Sequence, residues 1–224
     1  MTDTLEKPLG AARSHPGQPA SPRELIVLVT MGLAVVVALA ALLGPWFTVV
    51  TYRYFENTVA IDNRGYGLFG YSATDTVPGM NATISGNYLP WPSVRSALLS
   101  VQILAALTLV VGLSAVVFTI IGTRRTWPGP LPAILGLSSA ALAFVGAVVF
   151  ATTFPGAAHA DGLFDFGASF LGSASVTSAN GPLTQTWGPG WAWSGLLSVG
   201  VLFLVASLSA LRLPSRRPLS EPGF

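Results

Sequence analysis

Apolar and polar positions divide this chain into long blocks. Four blocks, residues 25–46, 94–121, 131–154 and 191–211, are apolar almost throughout, and no ionisable residue falls in the middle of any of them. A helix rises about 1.5 Å per residue, so about 20 apolar residues cross a hydrocarbon core of about 30 Å. Each block reaches that length. None shows an amphipathic period, as expected where lipid and neighbouring helices are both apolar. The first block contains Ala38-Leu39-Ala40, the small-x-small form of a signal-peptide cleavage site. Its apolar run continues past Ala40, and 24 residues with Pro16, Pro19 and Pro22 precede it, which favours a retained first span after a disordered tail.

The blocks leave two long connections, residues 47–93 and 155–190. The first opens with Thr48-Val49-Val50-Thr51-Tyr52-Arg53-Tyr54-Phe55, and strand candidates follow at 58–62, 67–74 and 81–85. Asp62-Asn63-Arg64-Gly65, Pro78-Gly79 and Ser85-Gly86-Asn87 read as the turns between them. The second connection carries a hairpin candidate over 174–187 around Ala179-Asn180-Gly181. The expected fold class is an all-α membrane protein: a four-transmembrane-helix bundle with a small extracytoplasmic antiparallel β-sheet from the two outer loops. The expected domains are a tail (1–24), the four-span region with its loops (25–212) and a second tail (213–224).

Composition agrees with a membrane setting. Hydrophobic residues make up 51% of the 224 positions and charged residues 9%, and the mean hydropathy is +0.63. This excludes a soluble enzyme, a disordered chain and a nucleic-acid binder. The absence of cysteine excludes disulfides, thiolate metal sites and cysteine nucleophiles.

The basic residues are unevenly spread. Lys7, Arg13, Arg23, Arg124, Arg125, Arg212, Arg216 and Arg217 flank one side, whereas Arg53, Arg64 and Arg95 are spread over the long first loop. By the positive-inside rule both termini face the cytoplasm of a multi-pass plasma (cytoplasmic) membrane protein. Trp46, Trp91, Trp127, Trp187, Trp191 and Trp193 fall at span ends and read as interfacial anchors.

A weak repeat pairs Gly67-Leu68-Phe69 with Gly162-Leu163-Phe164, and Leu98-Leu99-Ser100-Val101 with Leu196-Leu197-Ser198-Val199. It suggests two copies of a helix-sheet-helix hairpin about a pseudo-two-fold axis along the membrane normal; chance similarity in a low-complexity chain is the competing reading.

Candidate chemistry is sparse. The interior polar residues Gln102, Thr108, Ser114, Ser138, Ser139, Ser198 and Ser207 suit bonds between helices or back to the preceding turn. His159, Asp161 and Asp165 form the one cluster suited to a metal or to acid-base work, and they lack a third strong ligand type nearby. No catalytic residue, cofactor or metal site is expected. Asn81-Ala82-Thr83 matches a glycosylation acceptor.

Trp46 after the first span, Gly67-Leu68-Phe69 in the first loop and Arg95 within Pro92-Ser93-Val94-Arg95-Ser96-Ala97-Leu98 stand in the order and spacing of a family signature. So does the Gly-rich start of the fourth span, Gly188-Pro189-Gly190-Trp191. In these the chain resembles the claudin superfamily of tetraspan membrane proteins, with its peripheral-myelin and calcium-channel gamma branches. Phe69 stands where that pattern has a second Trp, and both loop cysteines are missing. The sheet is then expected to rely on packing by Tyr52, Tyr54, Phe69 and Tyr71. The resemblance implies that Arg95 clamps the sheet to the bundle through Glu56, Asp62 or Asp75; an exposed interfacial arginine is the other reading.

The expected function is non-enzymatic: an accessory, assembly or adhesion subunit that uses its outer sheet and helix faces. Its partners are the lipid bilayer, other membrane or envelope proteins, or itself, and not nucleic acid. The alternatives are a pore-forming or channel-modulating subunit drawing on Arg53, Glu56, Asp62, Arg64 and Asp75, and a membrane enzyme or lipid-handling protein drawing on His159 to Asp165.

Overall fold

The computed structural model describes residues 21–55, 58–124, 130–163, 169–178 and 181–212. In chain order the elements are α1 (Pro22–Leu43), β1 (Pro45–Phe55), β2 (Thr58–Gly67), β3 (Tyr71–Val77) and β4 (Met80–Gly86). They continue with α2 (Pro92–Arg124), α3 (Leu131–Ala160), β5 (Gly172–Ser178), β6 (Gly181–Pro189) and α4 (Trp191–Leu211). All four helices are long and apolar enough to cross a membrane.

The expected all-α class is corrected. Six strands form one antiparallel sheet in the order β4-β3-β2-β1-β6-β5, so the chain is mixed helix and sheet. Hydropathy gives weight to long apolar runs, whereas a half-buried strand of seven to eleven residues leaves only a weak alternation. The sheet is also continuous with the helices. Gly44 alone separates α1 from β1, and Gly190 alone separates β6 from α4. The two strands that follow or precede those residues, β1 and β6, pair with each other inside the sheet.

Local chemistry explains the helix ends. At α1, the Ser21 N–H donates to the Glu24 carboxylate at 2.7 Å and the Glu24 N–H donates to the Ser21 hydroxyl at 3.3 Å, closing a capping box ahead of Pro22. α3 runs six residues past the expected end at 154, through Pro155, to Ala160. His159 therefore lies on a helix and not in a loop.

The helices form a closed ring in which α2 packs on α3, α3 on α4, α4 on α1 and, least extensively, α1 on α2. Small residues line the contacts. Ala140, Ala143 and Ala147 of α3 are buried, and added methyl groups at Gly112 or Gly200 would meet the rings of Phe203 or Phe144. Such close approach lets dispersion hold helices together in a medium as apolar as their side chains.

Two other sequence expectations change. Asp62-Asn63-Arg64-Gly65 does not turn but continues β2, with Asn63 opposite Val50 and Thr74 and Gly65 opposite Thr48 and Ser72. Ladders on both sides outweigh the local turn preference. The repeat does not reflect a duplicated fold. Gly67 ends β2, whereas Gly162 follows α3. A two-fold axis would set β1 against β5, or β4 against β6, and the junction is β1 against β6.

Pro78-Gly79 does turn, between Val77 and its partner Met80, with Gly79 at φ +85°, the positive angle that the third residue of a type II turn requires. The second-loop hairpin also forms, with Ser178 opposite Gly181; Ala179 and Asn180 lie outside the described residues.

Candidate functional site

An aromatic layer joins the sheet to the end of the bundle that carries it. A register shift between Pro45 and Phe47 breaks the alternation of β1, so that Trp46 and Phe47 are both buried. Trp46 meets Phe150 edge-on at 5.1 Å between centroids, Phe150 stacks on Phe154 at 4.8 Å, and Phe47 and Tyr66 reach Phe154 at 5.3 and 5.9 Å. Tyr71 extends the layer to Trp91 at 5.2 Å.

The buried indoles are satisfied. The Trp46 N–H donates to the Ala41 carbonyl at 2.7 Å, one of the acceptors left open at the end of α1. The Trp193 N–H donates to Ala147 at 2.9 Å and that of Trp187 to Ser169 at 3.0 Å. Trp46 and Trp187 are thus core residues and not interfacial anchors, while Trp191 is 56% exposed; Trp127 lies outside the described residues. Of the four side chains expected to hold the sheet, Tyr71 belongs to the layer, Tyr54 and Phe69 are exposed, and Tyr52 is half-buried.

The Gly67-Leu68-Phe69 turn is pinned at three points. The Tyr88 hydroxyl bonds the carbonyls of Gly67 at 2.8 Å and Gly70 at 2.9 Å, and the Gln102 amide of α2 donates to the Leu68 carbonyl at 2.7 Å. Burial pushes the Tyr88 phenol far up, so it remains a donor. Leu68 is fully buried, and Gly67 approaches the Gly44 carbonyl so closely that a Cβ would stand 3.2 Å from it.

Arg95 lies one turn into α2 and is exposed, with no ion pair or side-chain hydrogen bond among the described residues. Asp62, one of its expected partners, is buried against Arg64, with Nη2 at 2.7 Å and Nε at 2.9 and 3.2 Å from the carboxylate oxygens. That hydrogen bond raises the Arg64 pKa against the opposing effect of burial. Asp75 faces Asp62 across the ladder, and Glu56 lies outside the described residues. The sheet-to-bundle tie at this point is therefore Gln102. Arg95 instead rims a groove of about 730 Å³ bounded by Leu68, Phe69, Asn87, Leu89 and Leu99.

Two members of the His159 cluster are described. Asp161 accepts from the Val94 N–H at 2.8 Å, capping α2 from the end of α3. His159 is exposed on the last turn of α3, Asp165 lies outside the described residues, and no group of three metal-ligating side chains occurs among the described residues. Most interior polar residues behave as expected: Thr108, Ser114 and Ser198 bond back four residues and Ser139 bonds the Thr108 carbonyl of α2 at 2.9 Å.

Neither edge of the sheet is guarded. Residues 80–85 of β4 are exposed, β5 is largely exposed, and neither strand contains a charge or a proline. Sheets usually protect their edges with such residues.

Three features escaped the sequence reading: Tyr88, Gln102 as a tie to the sheet, and Asp161 as a cap. The signal for Gln102 was present, since an amide in an apolar run must find a partner. In comparisons with known proteins, no family model and no curated protein matches the chain.

Proposed function

We propose that the chain is a claudin-like, non-enzymatic membrane subunit that binds other membrane or envelope proteins, or further copies of itself, through its outer sheet. The observation that carries this reading is the pair of unguarded strands, β4 and β5, at the two edges of the sheet. An edge strand with free N–H and C=O groups accepts a partner strand by main-chain pairing. The exposed apolar side chains Val77, Met80, Ile84 and Val176 on β3, β4 and β5 add contact area for it.

The membrane is the plasma membrane in this reading, with the sheet outside. The supporting observation is the concentration of Lys and Arg on the side opposite the two long loops. The absence of cysteine makes a direct test simple: Asn81→Cys should react with a membrane-impermeant maleimide added to intact cells, and labelling only after lysis would reverse the orientation.

Binding is tested by Thr83→Pro in β4 with Ser175→Pro in β5, two positions in non-hydrogen-bonded pairs whose N–H groups face the free edges. Cross-linked assemblies in native membranes should disappear while the monomer persists. Assemblies that survive both substitutions would remove the edges from the mechanism.

A further inference from the structure

We propose that the groove between the Gly67-Leu68-Phe69 turn and α2 binds an anionic phospholipid of the leaflet on the sheet side, with its phosphate on Arg95 and an acyl chain along Phe69, Leu89 and Leu99. The inference rests on α2 crossing a bilayer, and it is independent of the edge strands.

Height is the first argument. α1 has 22 residues, about 33 Å, close to the hydrocarbon thickness of about 30 Å, so Gly44 marks its outer boundary. Gly67 packs on Gly44, and Gln102 bonds the adjoining Leu68, which places Gln102 at the same level. Arg95 lies seven residues earlier on α2, about 10 Å further out. The headgroup layer adds roughly 5–8 Å per leaflet, so a guanidinium on its flexible stem sits at the level of the phosphates.

Charge is the second. Arg95 has no ion pair or side-chain hydrogen bond among the described residues, and Asp161, whose carboxylate accepts from the neighbouring Val94 N–H, forms no ion pair with it. A guanidinium presents a planar fork of donors that matches phosphate oxygens.

The third is the distribution of polarity along the groove. Arg95 and Asn87 contribute polar groups, whereas Phe69, Leu89 and Leu99 are 61%, 68% and 56% exposed. Each square ångström of apolar surface left to water costs about 25 cal/mol, and a lipid chain covers that surface while its headgroup meets the arginine. Free phosphate satisfies the charge and leaves the apolar wall uncovered.

The test is native mass spectrometry of the full chain from a mild non-ionic detergent, with phosphatidylglycerol or phosphatidylcholine of identical chains. The wild type should retain phosphatidylglycerol about tenfold better, as one charge-assisted contact implies. Arg95→Gln should abolish that preference, Arg95→Lys should keep part of it, and Leu99→Trp, which fills the groove, should weaken retention of both lipids.

Equal retention of the two lipids by the wild type overturns the proposal, as does an undiminished preference in Arg95→Gln. Full competition by millimolar inorganic phosphate would make the groove a simple anion site and also overturn it. If Arg95→Gln does not fold, the Arg95→Lys and Leu99→Trp pair still decides the question. Unchanged binding in Leu99→Trp then rejects the groove.

Discussion

The two halves of β1 behave as different materials. From Trp46 to Thr51 the inward residues are buried among the rings of α3 and the neighbouring strands, whereas Arg53, Tyr54 and Phe55 are exposed. The sequence is equally rich in aromatic and β-branched residues along the whole strand. What differs is what lies opposite: the bundle and its aromatic layer at one end, open surface at the other. A strand of uniform composition thus serves as an anchor at its base and as a display surface at its tip.

The largest expected effect breaks the anchor. Trp46→Ala removes a fully buried ring and its bond to Ala41, and should cost about 3–5 kcal/mol; Phe55→Ala on the same strand should cost under about 1 kcal/mol. Reversible unfolding in mixed detergent micelles measures both, and equal costs would erase the distinction between the two halves.

Next comes the buried carboxylate midway along the sheet. Arg64→Ala leaves Asp62 without its cation, at an expected cost of about 2–3 kcal/mol. Adding Asp62→Asn to that variant should recover part of the loss in the same assay. No recovery would mean that the guanidinium acts through packing alone.

Gln102→Leu probes the tie from the bundle side. It strips the Leu68 carbonyl of its donor, for about 1–2 kcal/mol, and should speed proteolysis of the first loop while leaving the helices intact.

The smallest effect is a pH dependence confined to the base of the sheet. Burial raises the phenols of Tyr88 and Tyr66, so the folded chain keeps protons that the unfolded chain releases near pH 10. The corresponding stability is complete below about pH 10 and declines as pH rises beyond it. Absorbance of tyrosinate at 295 nm should show two of the five tyrosines ionising only as the sheet opens, and Tyr88→Phe should leave one.

Much of the fold was legible from residues alone, where the determinants are local. Apolar length marks the spans, Pro78-Gly79 marks a turn because only certain backbone angles suit it, and the β-branched run at 48–55 marks a strand. The remainder depends on partners distant in sequence. The 62–65 segment has the composition of a turn, and pairing with β1 and β3 keeps it extended. Trp46 looks like an interfacial anchor until β1 is seen to begin one residue after Gly44 and carry the ring inward. The candidate groove shows the same division: Arg95 and Phe69 stood out as signature positions, but only the fold brings them to one cavity beside Leu89 and Leu99.

The single glycines between α1 and β1 and between β6 and α4 have a mechanical consequence. A linker of one residue stores no slack, so a load applied to β1 or β6 passes directly into a membrane helix. Pulled at the sheet, β1 and β6 should yield together with α1 and α4 as one stiff unit, after the β3–β4 hairpin has peeled away. Any partner that grips an edge strand would therefore pull on the membrane first through the weakest, outermost pairing, which acts as a fuse protecting the base.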